Sequence, residues 1–270
     1  MTFWMGPALL FCPADRPDRY DKAASRADAV ILDLEDAVSP ADKAAAREAL
    51  VAHPLDPATT IVRVNDFEAA DFELDVAALA QTSYRTVMLA KAKSAAEVGA
   101  LRGFEVIALC ETAAGILAAP AIAAVDHVVA LMWGAEDLVA SLGGTSSRFE
   151  DGSYRAVAAH ARSSVLLAAG ANDTAAIDSV FLDIPNLGGL RAEARDAVAS
   201  GFAATACIHP SQVAVIRDAY SPTDDEVAAA RAILAAAESE RGVFQFDGRM
   251  VDEPVLRHAR AVLARAAVVG

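Results

Sequence analysis

Residues 108–138 read ALCETAAGILAAPAIAAVDHVVALMWGAEDL. An apolar run at 106–109 leads into Glu111, and a second at 127–133 leads into Gly134, Ala135, Glu136 and Asp137. An alanine-rich, helix-like segment joins them. Two short apolar strands connected by a helix are the unit of a parallel sheet, where successive strands end at the same rim. Glu111 and Asp137 then stand just beyond two carboxyl ends. Two carboxylates held close together are costly unless a cation or a shared proton lies between them. Oxygen-only ligands favour a hard ion, Mg²⁺ before Zn²⁺. The pair is therefore a candidate for a divalent metal. Acids also cap the helices that follow them, and from spacing alone that plainer reading is the commoner one.

The same alternation runs outward in both directions. Strands are expected at 8–12, 29–34, 60–64, 86–90, 106–110, 128–133, 180–184 and 205–208. Runs this short and this continuously apolar suit strands buried on both faces. Helices are expected between them, including one capped by Ser39 with Pro40 at its first position. Eight strands alternating with helices predict an α/β fold, a (β/α)8 TIM barrel. A doubly wound open sheet is the rival, but Cys12-Pro13-Ala14-Asp15-Arg16 follows the first strand where a dinucleotide fold carries its glycines. Polar groups also stand at nearly every carboxyl end: Asp15, Arg16, Asp33, Glu35, Asp36, Arg63, Asn65, Lys91, Glu111, Glu136, Asp137, Asp183 and His209. Such a rim is where barrel active sites lie. Residues 1–220 are expected to form the catalytic barrel. Residues 221–270 hold a helix, a hairpin turning at Asp247-Gly248 and a last helix, expected as a C-terminal lid or oligomerisation extension.

Composition narrows the function. The chain has 270 residues, 55% of them hydrophobic, enough for a sizeable core. A net charge of −14 argues against nucleic acid and anionic membrane as partners. Cys12, Cys110 and Cys207 sit in or beside apolar runs without CxxC spacing, which reads as reduced, buried thiols. No apolar run reaches the roughly 20 residues of a membrane span. The opening MTFWMGPALLF lacks the basic start of a signal peptide, so a cytoplasmic protein is expected.

Seven pieces, in order along nearly the whole chain, resemble one family. They are LLFCPADRPDRYDKA from Leu9, VILDLEDAVSPADKAAAR from Val30, VRVN from Val62, LCETAAG from Leu109, WGAEDL from Trp133, CIHPSQ from Cys207 and GRMVDEP from Gly248. The set is similar to the citrate lyase β-subunit, or CitE-like, family within the HpcH/HpaI aldolase group, whose relatives include malyl-, citramalyl- and β-methylmalyl-CoA lyases. The resemblance implies a barrel whose C-terminal region reaches an adjacent subunit, in a homotrimer or hexamer. It implies Mg²⁺ on Glu111 and Asp137, Arg63 at the thioester or enolate oxygen, and Asp252 as acid/base across a subunit interface. It implies coenzyme A beside the first strand, where Phe11 and Lys22 match. At an intermediate position where some relatives carry lysine, this chain has Asp18.

The chemistry suits these residue types. Cleaving a β-hydroxyacyl thioester removes the hydroxyl proton, breaks a carbon–carbon bond and leaves an enolate. Mg²⁺ would act as Lewis acid and template, and Arg63 as fixed charge where enolate charge develops. Backbone N–H groups of Gly134, Ala135, Glu136 and Asp137, at a helix start, would hold the acid fragment's carboxylate. Arg16, Arg19, Lys22 and Lys43 are candidates for nucleotide phosphates, although any one of them is more often a solvated charge. Glu35 and Asp36 would bond Arg63 or metal-bound water, or simply cap. His209 would touch the ligand or serve the strand end. Lys91 as a Schiff-base group would need a depressed pKa.

The expected activity is Mg²⁺-dependent cleavage of malyl-, citramalyl- or citryl-CoA to acetyl-CoA and a 2-oxo acid of the oxaloacetate, pyruvate or glyoxylate class, or the reverse condensation. Alternatives are a malyl-CoA thioesterase using the same site, and a β subunit acting on citryl-acyl carrier protein within a citrate lyase complex. A non-CoA aldolase is disfavoured, because no histidine base follows the second strand.

Overall fold

Chain order and barrel order coincide. The computed structural model describes residues 3–240 and 242–269. Met1 and Thr2 of the opening stretch, and Arg241 and Gly270 of the extension, lie outside the described residues. Strands β1 (Ala8–Pro13), β2 (Ala29–Asp33), β3 (Thr60–Val64), β4 (Thr86–Leu89), β5 (Glu105–Cys110), β6 (Val128–Trp133), β7 (Ala175–Asp178) and β8 (Ala204–Cys207) form a closed barrel in that order. Every neighbouring pair is parallel, and β8 closes on β1. Around it run α1 (Tyr20–Ala24), α2 (Lys43–Ala52), α3 (Phe72–Leu79), α4 (Ala95–Gly99), α5 (Ala113–Ala123), α6 (Ala135–Ser141), α7 (Ala156–Ala171), α8 (Leu187–Ser200) and α9 (Pro210–Tyr220). This is the expected (β/α)8 barrel.

The continuous apolar runs are explained by two cores sharing one sheet. Side chains alternate across a strand. Leu9, Ile31, Ile61, Met88, Ile107, Ala130 and Ile177 point into the barrel, joined by Phe3 and Met5 from before β1. Leu10, Val30, Leu32, Val62, Val87, Ala108 and Leu131 point outward against the helices.

Two expectations need correction. The seventh strand is Ala175–Asp178, not 180–184. Asp173 turns back at φ 55° directly after α7, and the strand starts at once. Its sequence AAID looks weak because small alanines suffice on a strand wedged between β6 and β8. The more hydrophobic stretch 180–184 is rim loop, where Leu182 is 52% exposed. Asp183 is consequently an exposed loop residue, and Asp178 ends the strand. Helix α2 begins at Lys43 rather than after Ser39. The Ser39 hydroxyl is taken by the Asp42 side chain at 2.7 Å instead of by a helical N–H.

After the barrel come α10 (Asp224–Ala237), the hairpin β9 (Phe244–Phe246) and β10 (Arg249–Val251), and α11 (Glu253–Val269). Thr223 and Glu226 form a capping box on α10. Asp247 and Gly248 turn the hairpin with φ of 50° and 77°, the positive angles a two-residue turn demands. Ala230, Ala259 and Val262 form a small core of their own where α10 meets α11. Among the described residues no helix is long and apolar enough to cross a membrane.

Candidate active site

One further inward step on seven of the eight strands turns the apolar core into a functional rim. Two residues beyond Leu9, Ile31, Ile61 and Leu109 come Phe11, Asp33, Arg63 and Glu111. Two beyond Met132, Ile177 and Ala206 come Gly134, Ser179 and Ile208. All of these line one cavity of about 210 Å³ at the carboxyl end of the barrel, with Ala135, Glu136 and Asp137. The side-chain alternation that builds the core therefore also delivers the site.

Arg63 is its fixed positive charge. It is 9% exposed. Its Nε and Nη2 donate to the two carboxylate oxygens of Asp33 at 2.7 and 2.5 Å. Its Nη1 lies 3.2 Å from Glu35 Oε2, and its guanidinium sits 4.8 Å from the centre of the Phe11 ring. Asp33 also accepts from the N–H groups of Glu35 and Ala37 at 2.9 and 3.0 Å, so it fixes the turn after β2 as well as the arginine. Burial disfavours the guanidinium, but Asp33 and Glu35 outweigh it and hold its pKa above the ordinary value.

Glu111 carries the opposite problem. Its side chain is buried at 3% exposure. Burial, and then the charge of Asp137, push its carboxyl up to about 8 against the opposing pull of Arg63. Its Oε1 accepts the N–H of Lys91 at 3.1 Å. Its Oε2 occupies the space a side chain at 134 would need: a Cβ there would stand 2.7 Å from it and 2.8 Å from the Glu111 Cβ. Gly134 is glycine so that this carboxylate can lie against the backbone at the start of α6. The Lys91 ammonium is hydrogen-bonded to Glu35 and, at 3.0 Å, to Asp36, and lies 3.7 Å from Asp137 Oδ1. Burial works against that ammonium, but Glu35 and Asp36 outweigh it and raise its pKa. A neutral, nucleophilic amine is the reverse of what Lys91 presents, so the Schiff-base reading fails.

The remaining expected residues divide clearly. Glu35 is buried and joins Arg63 to Lys91 without lining the cavity. Burial raises its pKa, against the pull of Arg63 and Lys91. The Glu136 carboxylate turns to the rim loop, accepting from the Ser147 hydroxyl at 2.6 Å. Lys22, Arg16 and Arg19 are exposed beyond β1, and Arg16 pairs with Asp18 at 3.3 Å. Lys43 is no phosphate ligand: its ammonium is spent on the carbonyls of Leu34 and Glu35 and on Asn65 Oδ1, at 2.8, 3.1 and 2.7 Å. His209 caps α9, accepting the Ser211 N–H at 3.2 Å while Gln212 completes the box. Asp252 lies outside the cavity of its own chain, at the start of α11, where Oδ1 accepts the Val255 N–H at 3.3 Å.

The sequence marks Asp33 only as one rim acid without a role, and does not mark Ser179. Their signal is parity with Ile31 and Ile177, which becomes readable only once strand ends are known. Asp178 faces outward from the same rim, accepting from the Trp133 indole at 2.6 Å and from Arg162.

A (β/α)8 barrel with an inward arginine and two crowded carboxylates at its carboxyl rim is an enzyme scaffold built around acids that call for a cation. The chain belongs to the HpcH/HpaI aldolase/citrate lyase family, whose description matches residues 8–210, and it is an enzyme of that family. It is similar to protein CitE of Mycobacterium tuberculosis, whose crystal structure in complex with magnesium, acetoacetate and coenzyme A is 58% identical, with a TM-score of 0.92 over 97% of this chain and 98% of that one. A citrate lyase beta subunit from M. tuberculosis, complexed with oxaloacetate and magnesium, is 59% identical, with a TM-score of 0.80 over 80% of this chain and 97% of that one. An L-malyl-CoA/beta-methylmalyl-CoA lyase of Cereibacter sphaeroides is 32% identical over 301 aligned positions, covering 96% of this chain and 94% of that protein.

Proposed function

We propose that this chain is a Mg²⁺-dependent carbon–carbon lyase for a short β-hydroxyacyl-CoA. It releases acetyl-CoA and an oxo acid, or runs the reverse condensation. The carrying observation is Glu111, a buried carboxylate crowded by Asp137 and left short of positive charge. Among the described residues no three His, Cys, Asp or Glu side chains converge on a metal position. Two carboxylates suit Mg²⁺, which takes oxygen donors and keeps sites for water and substrate oxygens. Glu111 and Asp137 would hold it. Bound there, Mg²⁺ supplies Lewis-acid polarisation of the substrate's hydroxyl or keto oxygen.

The protein's own groups do the rest. Arg63, held rigid by Asp33 and Glu35, offers preorganised charge where the enolate oxygen forms. The backbone at Gly134, Ala135 and Glu136 holds the acid fragment's carboxylate. Phe11 flanks the thioester, and Lys22 meets the nucleotide phosphates. In cleavage the hydroxyl proton passes to solvent water, the hydroxyl carbon becomes the carbonyl of the oxo acid, and the electron pair of the broken carbon–carbon bond becomes the enolate of acetyl-CoA. Asp252 delivers a proton to that carbon. Because Asp252 lies outside its own chain's cavity, it enters from a neighbouring subunit of a homo-oligomer, with residues 221–270 as the lid.

Product analysis by mass spectrometry tests this. The protein is incubated with Mg²⁺ and malyl-, citramalyl- or citryl-CoA, with and without EDTA. Acetyl-CoA and the matching oxo acid, lost with EDTA, are expected. Free CoA with the intact hydroxy acid would show a thioesterase instead. No turnover, rescued only by acyl carrier protein and further subunits, would show a citrate lyase component. The similar proteins include one with acetoacetate and coenzyme A and another with oxaloacetate, which leaves the acid fragment open.

A further inference from the structure

Lys91 touches both candidate metal ligands without lining the cavity itself. It follows β4 by two residues, at φ 50°. That left-handed turn is costly for a residue with a Cβ. It is fixed from the next residue, because the Ala92 N–H donates to the Leu109 carbonyl at 3.0 Å. In this turn the Lys91 N–H donates to Glu111 Oε1 at 3.1 Å. The ammonium is bonded to Glu35 and, at 3.0 Å, to Asp36, and comes within 3.7 Å of Asp137 Oδ1. Among the described residues, the ion pairs of Asp33, Glu35, Asp36 and Asp137 are all made to Arg63 or Lys91. Arg63 is shared by Asp33 and Glu35, so the ion pair of Asp137 is to Lys91.

We propose that Lys91 is a positioning residue that sets how tightly this site holds Mg²⁺: its ammonium is the built-in cation against which the ion competes for Asp137. This rests on the metal assignment in the lyase reading above. The two ends of Lys91 have separable effects. Its backbone N–H supports Glu111 and is present whatever side chain stands at 91. Its ammonium, 3.7 Å from Asp137 Oδ1, is too far for a hydrogen bond and acts there as a charge rather than as a strut. Losing the ammonium therefore leaves Glu111 supported and strips positive charge from beside Asp137. A unit charge a few ångströms from a divalent ion changes its affinity about tenfold even at the dielectric of water. The lysine thus makes the site's grip looser than its two carboxylates alone would make it. In the metal-free protein the same charge offsets the mutual repulsion of Glu35, Asp36 and Asp137.

Calorimetric titration of Mg²⁺ into the full chain and three variants tests this. Lys91→Met removes the charge and keeps a long side chain. Lys91→Gly removes it too and suits the left-handed turn. Lys91→Arg keeps it. The Kd for Mg²⁺ should fall about tenfold in the first two and stay within about threefold in the third. Where Lys91→Met and Lys91→Gly differ, Lys91→Gly decides, because its turn is unstrained. Thermal melts supply a second readout. At one Mg²⁺ concentration, the two uncharged variants should gain more melting temperature from the ion than the unaltered protein does. A lysine with only a structural role would lower the melting temperature equally with and without the ion, and that result overturns the inference. Unchanged or weaker Mg²⁺ binding on loss of the ammonium overturns it as well, and so does an arginine variant as tight as the uncharged ones; each leaves the metal assignment standing. No Mg²⁺ binding by the unaltered protein overturns both.

Discussion

Asp33 and Arg63 are register partners on adjacent parallel strands, and they join through two hydrogen bonds, Nε to Oδ1 at 2.7 Å and Nη2 to Oδ2 at 2.5 Å. A bidentate clasp fixes the plane of the guanidinium as well as its position. Asp33→Asn keeps the shape but gives up half the clasp. We expect kcat to fall roughly 10- to 100-fold, the scale of a small misplacement of a charge that acts in the transition state. The barrel should remain folded, and KM for the oxo acid should move little. An unchanged kcat would show that the arginine holds its plane without Asp33.

Gly134→Ala should weaken Mg²⁺ binding. The added methyl would stand 2.7 Å from Glu111 Oε2, so the carboxylate must move. Displacing a ligand or its support costs roughly 10- to 100-fold in metal affinity. Calorimetric titration of Mg²⁺ measures this, with circular dichroism confirming the fold. Binding as tight as in the unaltered protein would remove Glu111 from the metal site.

Asp252→Ala and Arg63→Ala should each be inactive alone. Mixed and reassembled, they should recover about a quarter of full activity, as random pairing in a closed ring provides. Native mass spectrometry establishes that mixed oligomers form. Mixed oligomers without recovery would place every site within one chain.

His209→Ala should leave kcat untouched and lower the melting temperature. Loss of a helix cap costs about 1 kcal/mol, or about 2–4 °C in a chain of this size. A fall in kcat at full stability would return His209 to the ligand.

The three thiols should be silent to a thiol reagent at pH 8 in the folded protein and all react once it is unfolded. Burial pushes Cys12 up to about 11, and Cys110 and Cys207 up to about 12, from a usual 9.0. In the unfolded chain the thiols ionise from about pH 9, while the folded ones keep their protons to about 11 or 12. The folded state then binds more protons, so stability should fall as pH rises through that window. Rapid labelling of the native protein at pH 8 would contradict the burial.

What the sequence made legible follows from which signals are local. Seven strands were found where apolar runs stop at a polar residue, and Glu111 and Arg63 came with them. The seventh was misplaced by its composition: Ala175 and Ala176 are too small to announce a strand, while Val180, Phe181 and Leu182 are loop residues with strand-like side chains. Asp33 is visible as a rim acid, but its clasp on Arg63 is not, and Glu35 and Asp36 read as the arginine's partners, because inward direction depends on where the strand ends. Lys43 looked like a phosphate ligand because its charge is visible in sequence and its three oxygen partners are not. Ser39 looked like a helix cap for the same reason.

Trp133 donates its indole N–H to Asp178 and is fully buried one residue before Gly134. The chain has two tryptophans; the other, Trp4, is 51% exposed before the first strand. A small aqueous quencher therefore extinguishes Trp4 and spares Trp133. What remains is light emitted from beside the backbone on which Glu111 rests, so the enzyme carries its own fluorophore for watching that site fill.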